Sequence, residues 1–150
     1  MLKDEIDRLA KEYWNGRVKS HKSNEKRMIW YGEEYKFDTL DRVARSILSM
    51  FSDCTVLELG CGYGRLCDVF QPDKYTGIDF SKEMIKLAHE KYPQYSFSVN
   101  DMSTFEPSKH YDIIFGVMVP DFSRYEQYAD AALIGIYPST TFIKFNKNLS

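Results

Sequence analysis

The chain has 150 residues, of which 43% are hydrophobic and 28% charged, and its formal net charge is −2. These proportions are typical of a folded globular protein and argue against extensive disorder. A charge so close to zero creates no field that would attract nucleic acid or a membrane surface. The length predicts one domain, in which residues 1–51 form a helical extension or lid and residues 52–150 form the core.

The termini and the cysteines predict the compartment. The N-terminus has no signal-peptide pattern, and no apolar run approaches the ~20 residues that a membrane span needs. The chain has three cysteines, an odd number without a disulfide framework, which indicates a reducing, cytoplasmic setting. No C-x-x-C pair occurs and the histidines are scattered, so the sequence predicts no metal site.

Two amphipathic helices are predicted ahead of the first strand. Apolar residues recur at helical spacing over 2–14, and again from a cap at Asp38 to Phe51. The stretch between them, 17–27, carries five basic residues and one acid. We predict a flexible connection there, for which a solvated loop, a mobile lid over a pocket and a contact to a polyanion are the alternatives.

The most informative stretch is Val56–Arg65, which joins an apolar strand, an acid and three alternating glycines. Such glycines let the backbone approach a ligand closely and let the chain turn sharply out of a strand. The dinucleotide fingerprint G-x-G-x-x-G would place its third glycine at Arg65, whereas this chain has it at Gly64. The spacing therefore indicates a nucleotide-type cofactor other than NAD.

Three more strands are predicted at 74–79, 95–99 and 111–117. The first of them ends in Asp79, 19 positions after Gly60, where an acid of a βαβ unit can accept hydrogen bonds from ribose hydroxyls. A helix capped by Ser81 should follow. Strands that alternate with helices in this way predict a parallel sheet with helices on both faces.

The last predicted elements are a helix and a fifth strand. The helix opens at Ser123 and ends at Pro138, and its inward positions are Tyr125, Tyr128, Ala129, Ala132, Leu133 and Ile136. The strand is Thr140–Phe145, from its alternation of β-branched and aromatic residues.

The chain resembles the class I S-adenosylmethionine-dependent methyltransferases over roughly residues 54–118. The resemblance is carried by the glycine run, by Asp79 and Asp101 after the second and third strands, and by the fourth strand. The resemblance implies an α/β fold, doubly wound, with a mainly parallel five-stranded Rossmann-like sheet, N-terminal helices and without the family's usual C-terminal strands. It also implies S-adenosyl-L-methionine as cofactor and methyl transfer, by in-line displacement, to a small-molecule or protein acceptor.

The resemblance implies a role for each of these features. The loop would admit the methionine part of the cofactor, Asp79 would bind the ribose and Asp101 would contact the adenine edge. Glu58 would hold the loop or the ammonium group through water. The full set of implied cofactor residues is Glu58, Gly60, Cys61, Gly62, Gly64, Asp79, Phe80, Asp101, Met102, Gly116 and Val117.

The sequence alone leaves the catalytic residues and the partners open. A general base is needed only when the acceptor must lose a proton, and no catalytic residue is identified. The candidates, each more often structural than catalytic, are Tyr31, Tyr35, His110 and Asp121. The alternatives are a catalytically silent S-adenosylmethionine-binding sensor or partner subunit, and a different enzyme that uses this cofactor or another nucleotide. Strand 140–145 should form an edge, covered by the N-terminal helix or by a second chain, as a homodimer or with a partner subunit.

Overall fold

The computed structural model describes residues 34–137 and 140–146, and the side chains of residues 40–137 and 141–146. Within these residues one sheet has the strand order β3-β2-β1-β4-β5-β6. Its strands are β1 (Val56–Leu59), β2 (Tyr75–Asp79), β3 (Ser96–Val99), β4 (Tyr111–Val117), β5 (Ala129–Tyr137) and β6 (Thr140–Phe145). The predicted helix at 2–14 and the basic stretch at 17–27 lie outside the described residues.

The sheet confirms the predicted α/β, Rossmann-like class. Strands β1 to β5 pair in parallel, with β1 between β2 and β4, while β6 runs antiparallel to β5. The predicted count of five strands is wrong, because the described residues already form six. The strand predicted at Thr140–Phe145 is confirmed, but it is the sixth in the chain.

The predicted helix that opens at Ser123 is the largest error. A 3₁₀ helix covers only Ser123–Tyr128, and the chain then forms β5. Six residues of β5 pair with β4, and its centre is buried between β4 and β6. A strand buried on both faces is apolar throughout, so it also contains the helical spacing that the prediction used.

Two α-helices lie in the described part of the chain, α1 (Glu34–Leu48) and α2 (Lys82–Lys91). Helix α1 begins ahead of Asp38, so the predicted cap at that residue is wrong. Helix α2 starts as predicted, because the Met84 N–H donates to the Ser81 Oγ at 3.2 Å. Between the glycine loop and β2 lies a short 3₁₀ turn, Cys67–Val69.

Both described α-helices pack on the same face of the sheet, with Ala44 of α1 and Ala88 of α2 in one core layer. Helices on both faces were predicted. Within the described residues, the opposite face is covered by the two connections 100–110 and 118–128, whose apolar side chains include Met102, Phe105, Phe122 and Tyr125. The loops that follow β1, β2 and β4 lie at the edge formed by the carboxyl ends of these strands.

On the helix-covered face, the packing of Tyr75 requires a glycine in the middle of β2. The fully buried Tyr75 donates its hydroxyl to Glu58 Oε1 at 2.6 Å. Glu58 pairs with Gly77 across β1 and β2, so the tyrosine side chain crosses Gly77 to reach it. A Cβ at Gly77 would lie 2.7 Å from the Tyr75 Oη, which is too close for any real contact.

We expect the substitution Gly77→Ala to lower the free energy of unfolding by ~1–3 kcal/mol, the usual cost of an overpacked core. Tyr75→Phe should cost ~1–3 kcal/mol, because it leaves the buried Glu58 without its hydroxyl donor. Urea denaturation of the double variant should give less than the sum of the two costs, since the clash and the hydrogen bond share one oxygen atom. Additive costs would contradict this account of Gly77.

Candidate functional site

The loop after β1 is shaped by three glycines in left-handed backbone conformations. The φ angles are +69° at Gly60, +58° at Gly62 and +87° at Gly64. Residues with a Cβ rarely adopt such angles, so the alternation seen in the sequence is a requirement of the backbone. The loop lies where the carboxyl ends of β1, β2 and β4 meet, which is where open α/β sheets bind ligands.

Asp79, the last residue of β2, holds this loop. Its Oδ2 accepts from the Gly62 N–H at 2.9 Å, and its Oδ1 accepts from the Ser81 N–H at 2.8 Å. Burial raises the pKa of Asp79 to about 6, and the two backbone hydrogen bonds oppose that rise. A carboxylate oxygen can accept about two hydrogen bonds, so each oxygen can still accept one from a ligand hydroxyl.

Glu58 lies at the centre of β1, beneath the same loop. Its side chain is buried, and the loss of hydration raises its pKa to about 8. The hydrogen bond from Tyr75 and the positive charge of Arg65 act in the opposite direction. The structure therefore gives this acid a partner within the protein, which the sequence pattern did not reveal.

Arg65 stands where a dinucleotide fingerprint has its third glycine, and it connects the loop to α1. Its guanidinium is nearly buried and forms an ion pair with Asp41 of α1. Arg45 of the same helix donates to the Arg65 carbonyl oxygen at 2.5 Å and to Asp68 Oδ1 at 3.0 Å. Sequence reasoning used Arg65 only to disfavour NAD and missed this structural role.

The predicted adenine side follows β2 and β3. The Asn100 N–H donates to the Asp79 carbonyl oxygen at 3.0 Å, which brings the turn after β3 next to the end of β2. In that turn Asp101 and Met102 are half-buried, and Asp101 Oδ1 accepts from the Ser103 N–H at 2.9 Å and its Oγ at 2.7 Å. Phe80, directly after β2, is also half-buried.

The predicted methionine side is the end of β4, where the chain folds back on itself. Met118 has a left-handed φ of +55°, and Val119 then turns towards the glycine loop. A Cβ would lie 2.8 Å from a Val119 methyl group at Gly60 and 2.2 Å from the other at Gly116. Gly116, with Val117, thus meets Gly60 through Val119, a residue that the sequence did not mark.

Of the four candidate bases, the structure describes the side chains of His110 and Asp121. His110 precedes β4 and pairs with Asp130 at 2.9 Å, at the opposite end of the sheet from the glycine loop. Asp121 follows β4, but hydrogen bonds from Ser123 lower its pKa and make it a weak base. Tyr31 and the side chain of Tyr35 lie outside the described residues.

The remaining features concern residues 34–137 and 140–146, the described part of the chain. There, Cys54, Cys61 and Cys67 are free thiols, and Cys61 is buried in the glycine loop with its N–H bound to the Ile78 carbonyl oxygen. No group of three or more histidine, cysteine or acidic side chains that could hold a metal occurs among these residues. No helix within them is long and apolar enough to cross a membrane.

Comparison with known families identifies the fold. Residues 56–136 match the family described as a methyltransferase domain, which is more than half of the 150-residue chain. The match runs from the start of β1 to Ile136 in β5 and includes the glycine loop and Asp79. The chain belongs to this methyltransferase family.

Curated relatives resemble part of the chain. A putative methyltransferase, 235L, of Invertebrate iridescent virus 6 is 35% identical over 71 residues, which cover 45% of this chain and 27% of the viral protein. Trans-aconitate 2-methyltransferase of Agrobacterium fabrum is 32% identical over 97 residues, or 59% of this chain and 38% of the enzyme. The matched part therefore spans well under half the length of either relative.

Solved structures share the fold at lower identity. Magnesium protoporphyrin IX methyltransferase of Synechocystis PCC 6803 with bound SAH has a TM-score of 0.66 and 16% identity, over 86% of this chain and 70% of that one. The DhpI–SAM–HEP complex has a TM-score of 0.61 and 20% identity, over 83% and 62% of the two chains. At these identities the likeness shows the fold alone.

The buried acid Glu58 gives the stability a distinctive pH dependence. Its pKa is about 8 in the folded chain against an ordinary value of 4.5, so the folded state binds the proton more tightly. The free energy of unfolding should therefore fall as pH rises from 4.5 to about 8, by at most about 1.4 kcal/mol per pH unit. Asp79 acts in the same direction only up to about pH 6.

Between pH 6 and 8 we thus expect Glu58→Gln to abolish most of the slope in urea denaturation. Glu126→Gln, a change at an exposed acid, serves as the control and should retain it. Parallel curves for the parent and Glu58→Gln would show that Glu58 does not hold its proton in the folded state.

Proposed function

We propose that the chain binds S-adenosyl-L-methionine at the glycine loop and transfers its methyl group to a small-molecule or protein acceptor. The observation that carries the proposal is the placement of the Asp79 carboxylate. It fixes the loop through Gly62 while each oxygen retains acceptor capacity at the carboxyl end of β2. Two neighbouring ribose hydroxyls are the donor pair that such a carboxylate suits. Membership of a methyltransferase family supports this choice of cofactor.

The other roles follow the sheet edge around Asp79. On one side, Phe80 would pack on the adenine, and Asp101 with Met102 would meet its edge. On the other side, the methionine part would lie along the loop, near Gly116 and Val117. Glu58 would act on the cofactor indirectly, through the loop, because its carboxyl group is buried and bound to Tyr75. The loop residues are Gly60, Cys61, Gly62 and Gly64.

The proposed chemistry depends on alignment. The cofactor, when bound, supplies a methyl group that is already activated by its sulfonium. The protein must place the acceptor in line with that group and exclude water, and orientation alone can supply ~7–11 kcal/mol of a barrier. His110 lies at the wrong end of the sheet and the pKa of Asp121 is lowered, so neither favours a base-dependent reaction.

The placement of the Asp79 carboxylate also supports a second candidate function. In it, the chain binds the cofactor without catalysing transfer and acts as a sensor or partner subunit. The two functions differ in their product. Incubation of the chain with methyl-labelled S-adenosylmethionine and fractionated cell extract should label an acceptor if the first holds. Binding without any labelled acceptor would favour the second. For either function we propose a cytoplasmic setting, in keeping with the three free thiols.

Cofactor choice can be measured by thermal stability. S-adenosylhomocysteine at ~100 times its Kd should add ~2.7 kcal/mol to the free energy of unfolding, while NAD should add nothing. Asp79→Asn should weaken binding by ~1.5–3 kcal/mol, because an amide cannot accept at both of its positions. It should also reduce stability, since either the Gly62 N–H or the Ser81 N–H would face the amide NH₂ and lose its acceptor.

Asp73→Asn, at an exposed acid just before β2, is the matched control and should bind like the parent. Stabilisation by NAD and not by S-adenosylhomocysteine would refute the proposed cofactor. Unchanged affinity in Asp79→Asn would refute the ribose contact alone.

We further propose that β6 pairs with a second copy of the chain or with a partner subunit. It lies at the end of the strand order, and it exposes Phe142 by 50% and Phe145 by 58%. An edge strand with large apolar side chains offers unpaired backbone groups together with a surface that water disfavours. Lys144, which pairs with Glu126, gives this edge modest protection.

In light scattering at increasing concentration we expect a mass above that of the monomer. The double change Phe142→Lys and Phe145→Lys should restore the monomer, because it places charges on the pairing edge. Val99→Lys, at an exposed apolar residue of the opposite edge strand β3, is the control and should leave the mass unchanged. A parent chain that is monomeric at every concentration would argue against self-association.

A further inference from the structure

Two backbone carbonyls in the turn after β3 are each bound by the same two side chains. Arg124 Nη1 donates to the carbonyl oxygens of Met102 at 3.0 Å and Phe105 at 2.7 Å. The Tyr125 hydroxyl donates to the Met102 carbonyl oxygen at 2.6 Å, with a longer contact of 3.3 Å to that of Phe105. We call this arrangement of Arg124 and Tyr125 on residues 102–105 the clasp.

The two donors have different surroundings. Tyr125 is fully buried in the layer that also contains Met102 and Phe105, on the face of the sheet that carries no α-helix among the described residues. Burial raises the pKa of Tyr125, so its hydroxyl remains a donor at neutral pH. Arg124 is exposed and its guanidinium lies 4.9 Å from the centre of the Tyr125 ring, within the range of a cation–π contact. The arginine therefore holds both the carbonyls and the tyrosine.

The clasp fixes one end of a segment whose other end is tied to Asp79. The Asn100 N–H donates to the Asp79 carbonyl oxygen, and the Phe105 N–H donates to the Asp101 carbonyl oxygen at 2.8 Å. The segment that carries Asp101 and Met102 is thus attached to β2 on one side. On the other it is attached to the 3₁₀ helix that follows β4. No α-helix supports it from below in the described connections on this face.

We propose that Arg124 and Tyr125 are positioning residues that hold Asp101 and Met102 in the geometry required to recognise the adenine end of the cofactor. The inference rests on the proposed function, because it assigns a supporting role within the same site. Neither side chain needs to touch the cofactor, since both act through the carbonyl oxygens of the turn. They also couple the adenine side of the site to the segment that leaves β4.

The test compares two ligands that differ only at the adenine edge, S-adenosylhomocysteine and S-inosylhomocysteine. Calorimetry of the parent should show a clear preference for the adenosyl form. Tyr125→Phe, which keeps the buried ring, and Arg124→Gln, at an exposed position, should each weaken adenosyl binding about 5–10-fold. Binding of the inosyl form should change little, so the preference between the ligands should shrink by a similar factor.

Glu126→Gln is the matched control, because Glu126 belongs to the same 3₁₀ helix and pairs with Lys144 away from the turn. Glu126→Gln should keep the parent's full preference for the adenosyl ligand. Arg124→Lys should keep more of this preference than Arg124→Gln does. Equal weakening of both ligands, or no weakening of either, would overturn the positioning role while leaving the proposed function intact. Failure of the parent chain to bind S-adenosylhomocysteine would instead overturn the proposed function, and this inference with it.

Discussion

The carboxylate of Asp79 is the contact on which the geometry of the candidate site depends. One oxygen fixes the left-handed Gly62 of the loop, and the other fixes the amide of Ser81 at the start of α2. The same Ser81 caps α2 through the Met84 N–H. A single side chain at the end of β2 therefore joins a strand, a loop and a helix. In this way the loop is held in shape by the protein itself.

The surrounding structure supports this arrangement differently on its two faces. On one face α1 reaches the loop through Arg65 and Asp41, and Tyr75 holds the buried Glu58 beneath it. On the other face no α-helix is present in the described connections, and the clasp on residues 102–105 takes over that supporting role. Charged and polar contacts thus stabilise the candidate site on both faces of the sheet, in addition to the packing of the helices.

The elements predicted correctly are those whose signals are local. An apolar run, a capping serine and glycines at a strand end each act within a few residues, so β1, β2, β4 and the start of α2 could be predicted. The stretch that forms β5 could not be assigned by periodicity, because a strand buried on both faces resembles a buried helix. Gly135 and the β-branched Ile134 and Ile136 were the available signals for a strand. The roles of Arg65, Tyr75 and Arg124 depend on contacts between distant segments, which sequence spacing does not reveal.

If the carboxylate that shapes the loop also binds the ribose of the cofactor, both roles should be visible in one crystal structure, that of the chain with S-adenosylhomocysteine. We predict both ribose hydroxyls within hydrogen-bonding distance of the Asp79 carboxylate, with the contacts of Asp79 to Gly62 and Ser81 retained. A nucleoside bound elsewhere on the sheet, or bound here with Asp79 turned away from the ribose, would contradict the account.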